Sequence, residues 1–310
     1  MNRVMIRLLS LSLLLTVAIA APASAKAPIV GVGDQHATMF ADPSFQKLGV
    51  RHSRYVLAWD WYRDPGSVQY THDWMLAAQA HGISPLVAFN RNWLAANGHR
   101  KLPSLSLYRK SFRLFRERYP WITDFAAWNE ANHTAQPTAK KPRMAARYYN
   151  AMRKDCRSCT IVAADVLDGK DMLPWIKKFK KYAPSARIWG VHNYKDANDA
   201  TGSTKQLLKA VKGQVWLTET GGILRLKPAD GSRGGRKHTK SQQAKAVKRV
   251  YKIAKSSRRI SRVYFYEWAK KKGNRWDSAF VEANGKLRPS YRALKRGLRS
   301  GVTTGAARVR

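Results

Sequence analysis

The sequence predicts an α/β chain folded as a single-domain (β/α)8 TIM barrel, and three observations predict it. Short apolar runs alternate with longer amphipathic, charged segments along the chain. Eight of the apolar runs are of strand length, and helical patterns separate most of them, the signature of βα units on a parallel sheet. Roughly 280 residues beyond an N-terminal leader suit one closed barrel of eight such units.

The leader comes first. Arg3 and Arg7 precede an apolar run over 8–20, and Ala21, Ala23 and Ala25 close the segment. A basic start, a short apolar core and a small-x-small end mark a secretory signal peptide over 1–25. The run is too short to span a bilayer, and no later stretch is long and apolar enough to do so. The barrel is therefore expected over 26–300. Residues 301–310 are small, polar and basic and are expected to be a frayed tail. The protein is expected to be secreted, either extracellular or associated with the cell wall, and monomeric.

Strands are expected over 29–33, 50–57, 85–89, 124–128, 160–164, 187–191, 214–218 and 262–266. Helices are expected over 73–81, 105–118, 142–156, 171–182, 204–211, 241–255 and 289–299. The segment 221–240, rich in Gly and Arg, reads as a long loop after the seventh strand, and long loops in compact domains are usually functional.

Cys156 and Cys159 are the two cysteines, spaced C-x-x-C at the end of a helical pattern. One pair cannot close a tetrahedral zinc site, and no further ligands sit nearby. A local disulfide is the expectation in an exported chain. No His-x-x-x-His motif or carboxylate cluster is present, so neither metal nor cofactor is expected.

Lys and Arg total 58 against 19 Asp and Glu, a formal net charge of +39. Such a charge favours polyanions. Much of it falls in the helical segments, which form the outer ring of a barrel, so it reads first as a solvated basic exterior. No nucleic-acid-binding motif is present, and specific nucleic-acid binding is not expected. Eleven Trp is high for this length; half suit the core, and the rest suit surfaces that stack on flat ligands.

Barrel chemistry sits at the C-terminal ends of the strands. There the sequence places Arg54 on the second strand, Asn90 and then Trp93 after the third, and Trp128-Asn129-Glu130 after the fourth. His192 and Tyr194 follow the sixth, Thr218-Glu219-Thr220 the seventh, and Glu267-Trp268 the eighth. Glu130 and Glu219 end strands on opposite sides of the barrel mouth, so they can face each other. Glycoside hydrolysis needs two carboxyl groups flanking the scissile bond: about 5–5.5 Å apart for retention, about 6.5–9.5 Å for inversion. Sequence does not fix that distance.

Trp128-Asn129-Glu130 followed by Leu217-Thr218-Glu219-Thr220-Gly221 resembles the superfamily of retaining (β/α)8 glycoside hydrolases that includes cellulases, xylanases and β-xylosidases. The resemblance implies Glu130 as acid/base and Glu219 as nucleophile. It implies Asn129 as the ligand of a sugar hydroxyl, and His192 and Tyr194 as partners that orient the nucleophile. It implies Trp268 as a sugar platform and Arg54 as the cation that keeps Glu219 ionised. Asn90 and Trp93 are further candidates for substrate binding. Glu130 should start protonated, so a negative neighbour is expected to raise its pKa. Ala131 stands where Pro commonly follows the Asn-Glu pair.

The implied partner is a carbohydrate. The basic residues over 224–240 would suit an anionic or wall-associated glycan. A transglycosylase would use the same two carboxylates. A non-catalytic carbohydrate-binding or polyanion-binding protein could stand on the same barrel. The sugar, the linkage and the mode of attack vary with loops on this fold.

Overall fold

The computed structural model describes residues 27–92, 101–228 and 235–300. The signal-peptide expectation, the C-terminal tail and Trp93 lie outside them. Apolar residues with β-branched neighbours form the barrel strands: β1 (Ile29–Gly33), β2 (His52–Ala58), β3 (Ser84–Asn90) and β4 (Asp124–Ala126). The fifth barrel strand is broken into β5 (Thr160–Val162) and β6 (Asp165–Leu167). The last three are β7 (Ile188–His192), β8 (Gln214–Thr220) and β11 (Ile260–Tyr266).

All neighbouring pairs are parallel. The backbone ladder runs in two arcs, β2-β3-β4-β5 and β6-β7-β8-β11-β1. Side chains and single bonds span the two seams. Between β1 and β2, Ser53 Oγ donates to the Val32 carbonyl at 2.8 Å and the Gln35 amide pairs with the backbone of Val56. A Cβ at Gly31 would lie 2.5 Å from the His52 carbonyl oxygen, so only glycine lets these two strands come this close. At the other seam, Ala163 N–H donates to Ile188 and Asp165 N–H to Trp128, so the broken strand holds to both neighbours.

Eight helices of the outer ring and its loops are α1 (Pro43–Gln46), α2 (Pro65–Ala80), α3 (Leu105–Arg118), α4 (Pro142–Asp155), α5 (Met172–Lys180), α6 (Tyr194–Asp199), α7 (Ser203–Ala210) and α8 (Lys240–Lys255); α9 (Pro289–Arg299) completes them among the described residues. Strand alternation divides the apolar residues into two cores. Leu86, Ala88, Ala126, Val162, Trp216 and Tyr264 fill the barrel interior. Outward residues such as Val87, Phe125, Val215, Leu217 and Phe265 pack beneath the helices.

The structure corrects two sequence expectations and adds one element. Helix α2 starts eight residues before the expected 73, because Asp64 caps it: its carboxylate accepts from Ser67 N–H at 2.6 Å, with Pro65 in the first turn. The region 221–240 is not all loop. It contains β9 (Arg225–Leu226) and β10 (Arg236–Lys237), which join β12 (Trp276–Asp277) in a small antiparallel sheet, order β10-β9-β12. A short helix, α6, begins directly after the sixth barrel strand because the Asp168 carboxylate accepts from the N–H groups of Lys195 and Asp196.

Cys156 and Cys159 are joined by a disulfide, with Cα atoms 5.4 Å apart, between α4 and β5. Among the described residues no helix is long and apolar enough to cross a membrane, and no cluster of three or more His, Cys, Asp or Glu is placed to hold a metal ion.

Candidate active site

Inside the upper barrel, Arg54 points inward from β2 and organises the site. Its Nη1 donates to Glu219 Oε2 at 2.8 Å. Its Nη2 donates to Asn129 Oδ1 at 2.6 Å and Asp165 Oδ2 at 2.8 Å. Nη2 has two hydrogens and these bonds use both, so the 3.2 Å approach of His192 Nε2 is a packing contact. Burial works against the Arg54 charge, and the Asp165 and Glu219 carboxylates more than offset it. Asp165 is fully buried; burial would raise its pKa, but Arg54 and His192 hold it below the ordinary value. It fits because Gly190 faces it: a Cβ there would lie 1.9 Å from Asp165 Oδ1.

Glu219 reaches this cluster through a β-bulge. Gly190 pairs with Trp216, but His192 pairs with Glu219, and on the other side Val263 pairs with Leu217 while Phe265 pairs with Thr220. Strand β8 therefore carries one extra residue between Leu217 and Glu219. In a regular strand Glu219 would share the outward face of Leu217. The bulge turns it inward. Tyr194 OH then donates to Glu219 Oε1 at 3.0 Å, so both carboxylate oxygens are held.

Glu130 sits in the turn after β4 with φ of 46°, a left-handed conformation that costs a non-glycine residue energy. The surrounding bonds fix it there. Ala131 N–H donates to the Asp165 carbonyl, His133 N–H to the Glu130 carbonyl, and Asn132 pairs its amide with the backbone of Leu167.

His192 lies between the two carboxylates. Its Nδ1 is 3.2 Å from Glu130 Oε1 and 3.8 Å from Glu219 Oε2. Those two oxygens are therefore within about 7 Å of each other. That limit accommodates the spacing of retaining enzymes. Burial alone would lower the His192 pKa; Glu219, Asp165 and Glu130 push it up to about 9. Burial pushes Glu130 up, but the hydrogen bond and charge of His192, with His133 and Arg54, bring it below its ordinary value. The expected rise at Glu130 is thus not found, and the shifts favour the proton of this pair on His192.

The carboxylates open onto a pocket of about 630 Å³, a size that suits small-ligand sites. Tyr194, Tyr266, Trp276, Leu226 and Arg275 are among its lining, with Glu130 and Glu219 at the floor. Side-chain exposure is 25% for Glu130 and 15% for Glu219.

Several candidates do not reach this pocket. Trp268 is 1% exposed, donates from Nε1 to Asp42 and packs edge-on against Phe45 and Tyr291. Strand alternation fails as a guide because the ladder ends at Tyr266, and the chain then turns outward to bond Phe280 and Val281. Tyr266 and Trp276 occupy the pocket instead. Arg54 and His192 are buried behind the carboxylates and position them without lining the pocket. Asn90 is buried at the end of β3 and lines no part of it. Asn129 lies beside the carboxylates with its Oδ1 on Arg54.

Asp165 and Trp276 were given no role from the sequence. An Asp at the C-terminal end of the fifth strand was the available signal for the first. Trp276 depends on a three-strand pairing that no local pattern reveals.

The family described as the glycosyl hydrolase catalytic core matches residues 56–293. The chain belongs to that family. It is a glycoside hydrolase, and its solved structural neighbours are TIM-barrel glycoside hydrolases. A fungal β-1,4-galactanase superposes with a TM-score of 0.67 at 13% identity, over 87% of this chain and 99% of that one. A family GH5_18 protein from Streptomyces cattleya, in complex with GlcNAc, gives 0.64 at 15% identity over 92% and 82%. Xylanase 10B from Thermotoga maritima gives 0.62 at 11% identity over 88% and 95%. The chain spans 63% of the length of a family 39 glycoside hydrolase from Bacteroides cellulosilyticus, at 15% identity and a TM-score of 0.60. At these identities the likeness establishes the fold. No curated protein matches this chain.

Proposed function

We propose that the protein is a secreted, retaining β-glycoside hydrolase that cleaves an oligosaccharide or polysaccharide by double displacement. Glu219 attacks the anomeric carbon and Glu130 protonates the departing oxygen; Glu130 then takes a proton from water, which releases the sugar from Glu219. The observation that carries this reading is the shared contact of His192 Nδ1 with both carboxylates, which keeps two of their oxygens within about 7 Å. Two further features support it. Arg54 and Tyr194 each hold one oxygen of Glu219, which keeps the attacking group aimed. His192 Nδ1 faces Glu130 Oε1, so a proton resting on the histidine can move to Glu130 when a sugar covers the site.

Sugar release from a panel of glycans, by the wild type and by Glu219→Gln, tests the reading. Release by the wild type is expected to fall by about 10⁴-fold or more in the variant. Equal release by both would remove Glu219 from the mechanism. The panel also separates hydrolysis from transglycosylation: a transglycosylase would give lengthened products in place of free sugar.

A further inference from the structure

The register of the small sheet decides what faces the substrate. Arg236 of β10 pairs with Leu226 of β9, and Leu226 pairs with Trp276 of β12. Directly paired residues project to the same face of a sheet. All three line the pocket, so this row forms one of its walls. Lys237, Arg225 and Asp277 form the paired row that alternates to the other face. Trp276 is fixed as a platform: its Nε1 donates to Ser278 Oγ at 2.7 Å and its ring meets Tyr194 edge-on at 4.6 Å.

Cations line the same pocket as that platform. Arg275 lines the pocket beside it, its guanidinium held by two bonds to the Lys227 carbonyl. Lys195 reaches the same pocket from α6. The local charge balance can be followed group by group. Arg54 and His192 offset the floor carboxylates from behind. Asp199 takes Arg236 in a bidentate pair. Asp168 accepts from two backbone N–H groups and Ser203, and burial raises its pKa. Lys195 and Arg275 remain, and neither has a carboxylate partner among the described residues. They share the pocket with the flat apolar face of Trp276.

We propose that Trp276, Lys195 and Arg275 form a subsite for an acidic sugar, one bearing a carboxylate or a sulfate ester, beside the carboxylate pair. This deepens the glycosidase reading by naming its substrate class. The ring of the sugar stacks on Trp276, and its anionic group takes charge-assisted hydrogen bonds from the two cations.

Binding tests it without requiring turnover. Calorimetry on Glu219→Gln protein would compare uronic-acid oligosaccharides with their carboxyl-reduced counterparts, and sulfated oligosaccharides with their desulfated counterparts. At least one acidic member is expected to bind about tenfold or more tightly than its neutral partner. That preference should shrink to near unity when Lys195→Ala and Arg275→Ala are added. It should persist with Lys178→Ala and Lys252→Ala, which lie on the exposed outer faces of α5 and α8. The arm that responds names the acidic group. No preference in any pair, or a preference that survives loss of Lys195 and Arg275, overturns the subsite. Hydrolysis of neutral glycans without acidic preference would sink this inference alone; acidic preference without hydrolysis by the wild type would sink the glycosidase reading alone.

Discussion

The two ends of the barrel interior use the same ingredients to different effect. At the lower end, Arg262 of β11 pairs across the barrel with Asp124 of β4, bonds Tyr264 OH and lies 4.0 Å above the Trp216 ring. One cation meets one carboxylate, and an aromatic ring covers the cation. Beside them His52 is driven down to about 4 by burial and the Arg262 charge, so it stays neutral. At the upper end one Arg and one His face three carboxylates: Glu219, Asp165 and Glu130. Two of these turn oxygens toward an open pocket. Closing a barrel needs only the first arrangement. A surplus of held, partly desolvated carboxylates costs stability, and such a surplus is expected where chemistry is done.

The largest effect that would break this comparison is at Asp165. Asp165→Asn leaves the fold volume unchanged but removes a negative neighbour from both Arg54 and His192. The rate of sugar release should fall about 10²-fold through misplacement of Glu219. The alkaline limb of the pH profile should move to lower pH, since Asp165 raises His192. An unchanged rate and profile would make Asp165 a passive core residue.

At the lower end the effect should be on stability only. Arg262→Ala breaks a pair that is 17% and 10% exposed. It should cost about 2–3 kcal/mol, between the values for exposed and buried pairs, with kcat within about twofold. Loss of activity equal to that of Asp165→Asn would erase the distinction between the ends.

Titration of the wild type sharpens the comparison further. The folded pKa of His192, about 9, lies above its unfolded value near 6.5. Its contribution to stability is thus fully present below about pH 6.5 and is lost as pH rises through about 9. Activity should fall on the same limb as the proton leaves the His192–Glu130 pair. A thermal midpoint and rate that hold flat from pH 7 to 10 would contradict this.

The smallest effect is at Glu267, next to the site but outside it. Burial, with Asp34 and Asp277 nearby, pushes its pKa up to about 8. Folding must keep it neutral, so its stabilising protonated state is lost between about pH 4.5 and 8. Glu267→Gln should raise Tm at pH 8 and leave it unchanged near pH 4.5; the reverse pattern would show that the carboxylate is stabilised as an anion.

Much of this molecule was legible in its sequence, and the exceptions share a cause. Helices α3 and α9 start and end where pattern and capping put them, because both are long, amphipathic and bounded by Ser104 or Pro289. Glu130 and Glu219 were legible because they end strands, and Arg54 because strand alternation places it inside. The failures are positions where the period breaks. The bulge in β8 aims Glu219 inward, which alternation from Leu217 denies. The chain leaves the ladder at Tyr266, which sends Trp268 outward and leaves Tyr266 at the pocket. The β10-β9-β12 sheet joins loops some 40 residues apart, which no local pattern carries. Departures from regular geometry concentrate at functional sites, so these errors lie where the chemistry does.

In the proposed double displacement Glu219 forms a covalent bond to the sugar. The most direct measurement is mass spectrometry of the protein after incubation with activated 2-deoxy-2-fluoro-β-glycosides, neutral and acidic, which trap such an intermediate. A mass increase of one fluoroglycosyl group is expected, located on the peptide containing Glu219. A label on any other carboxylate, or turnover of the parent glycosides with no label from any of these reagents, would contradict it.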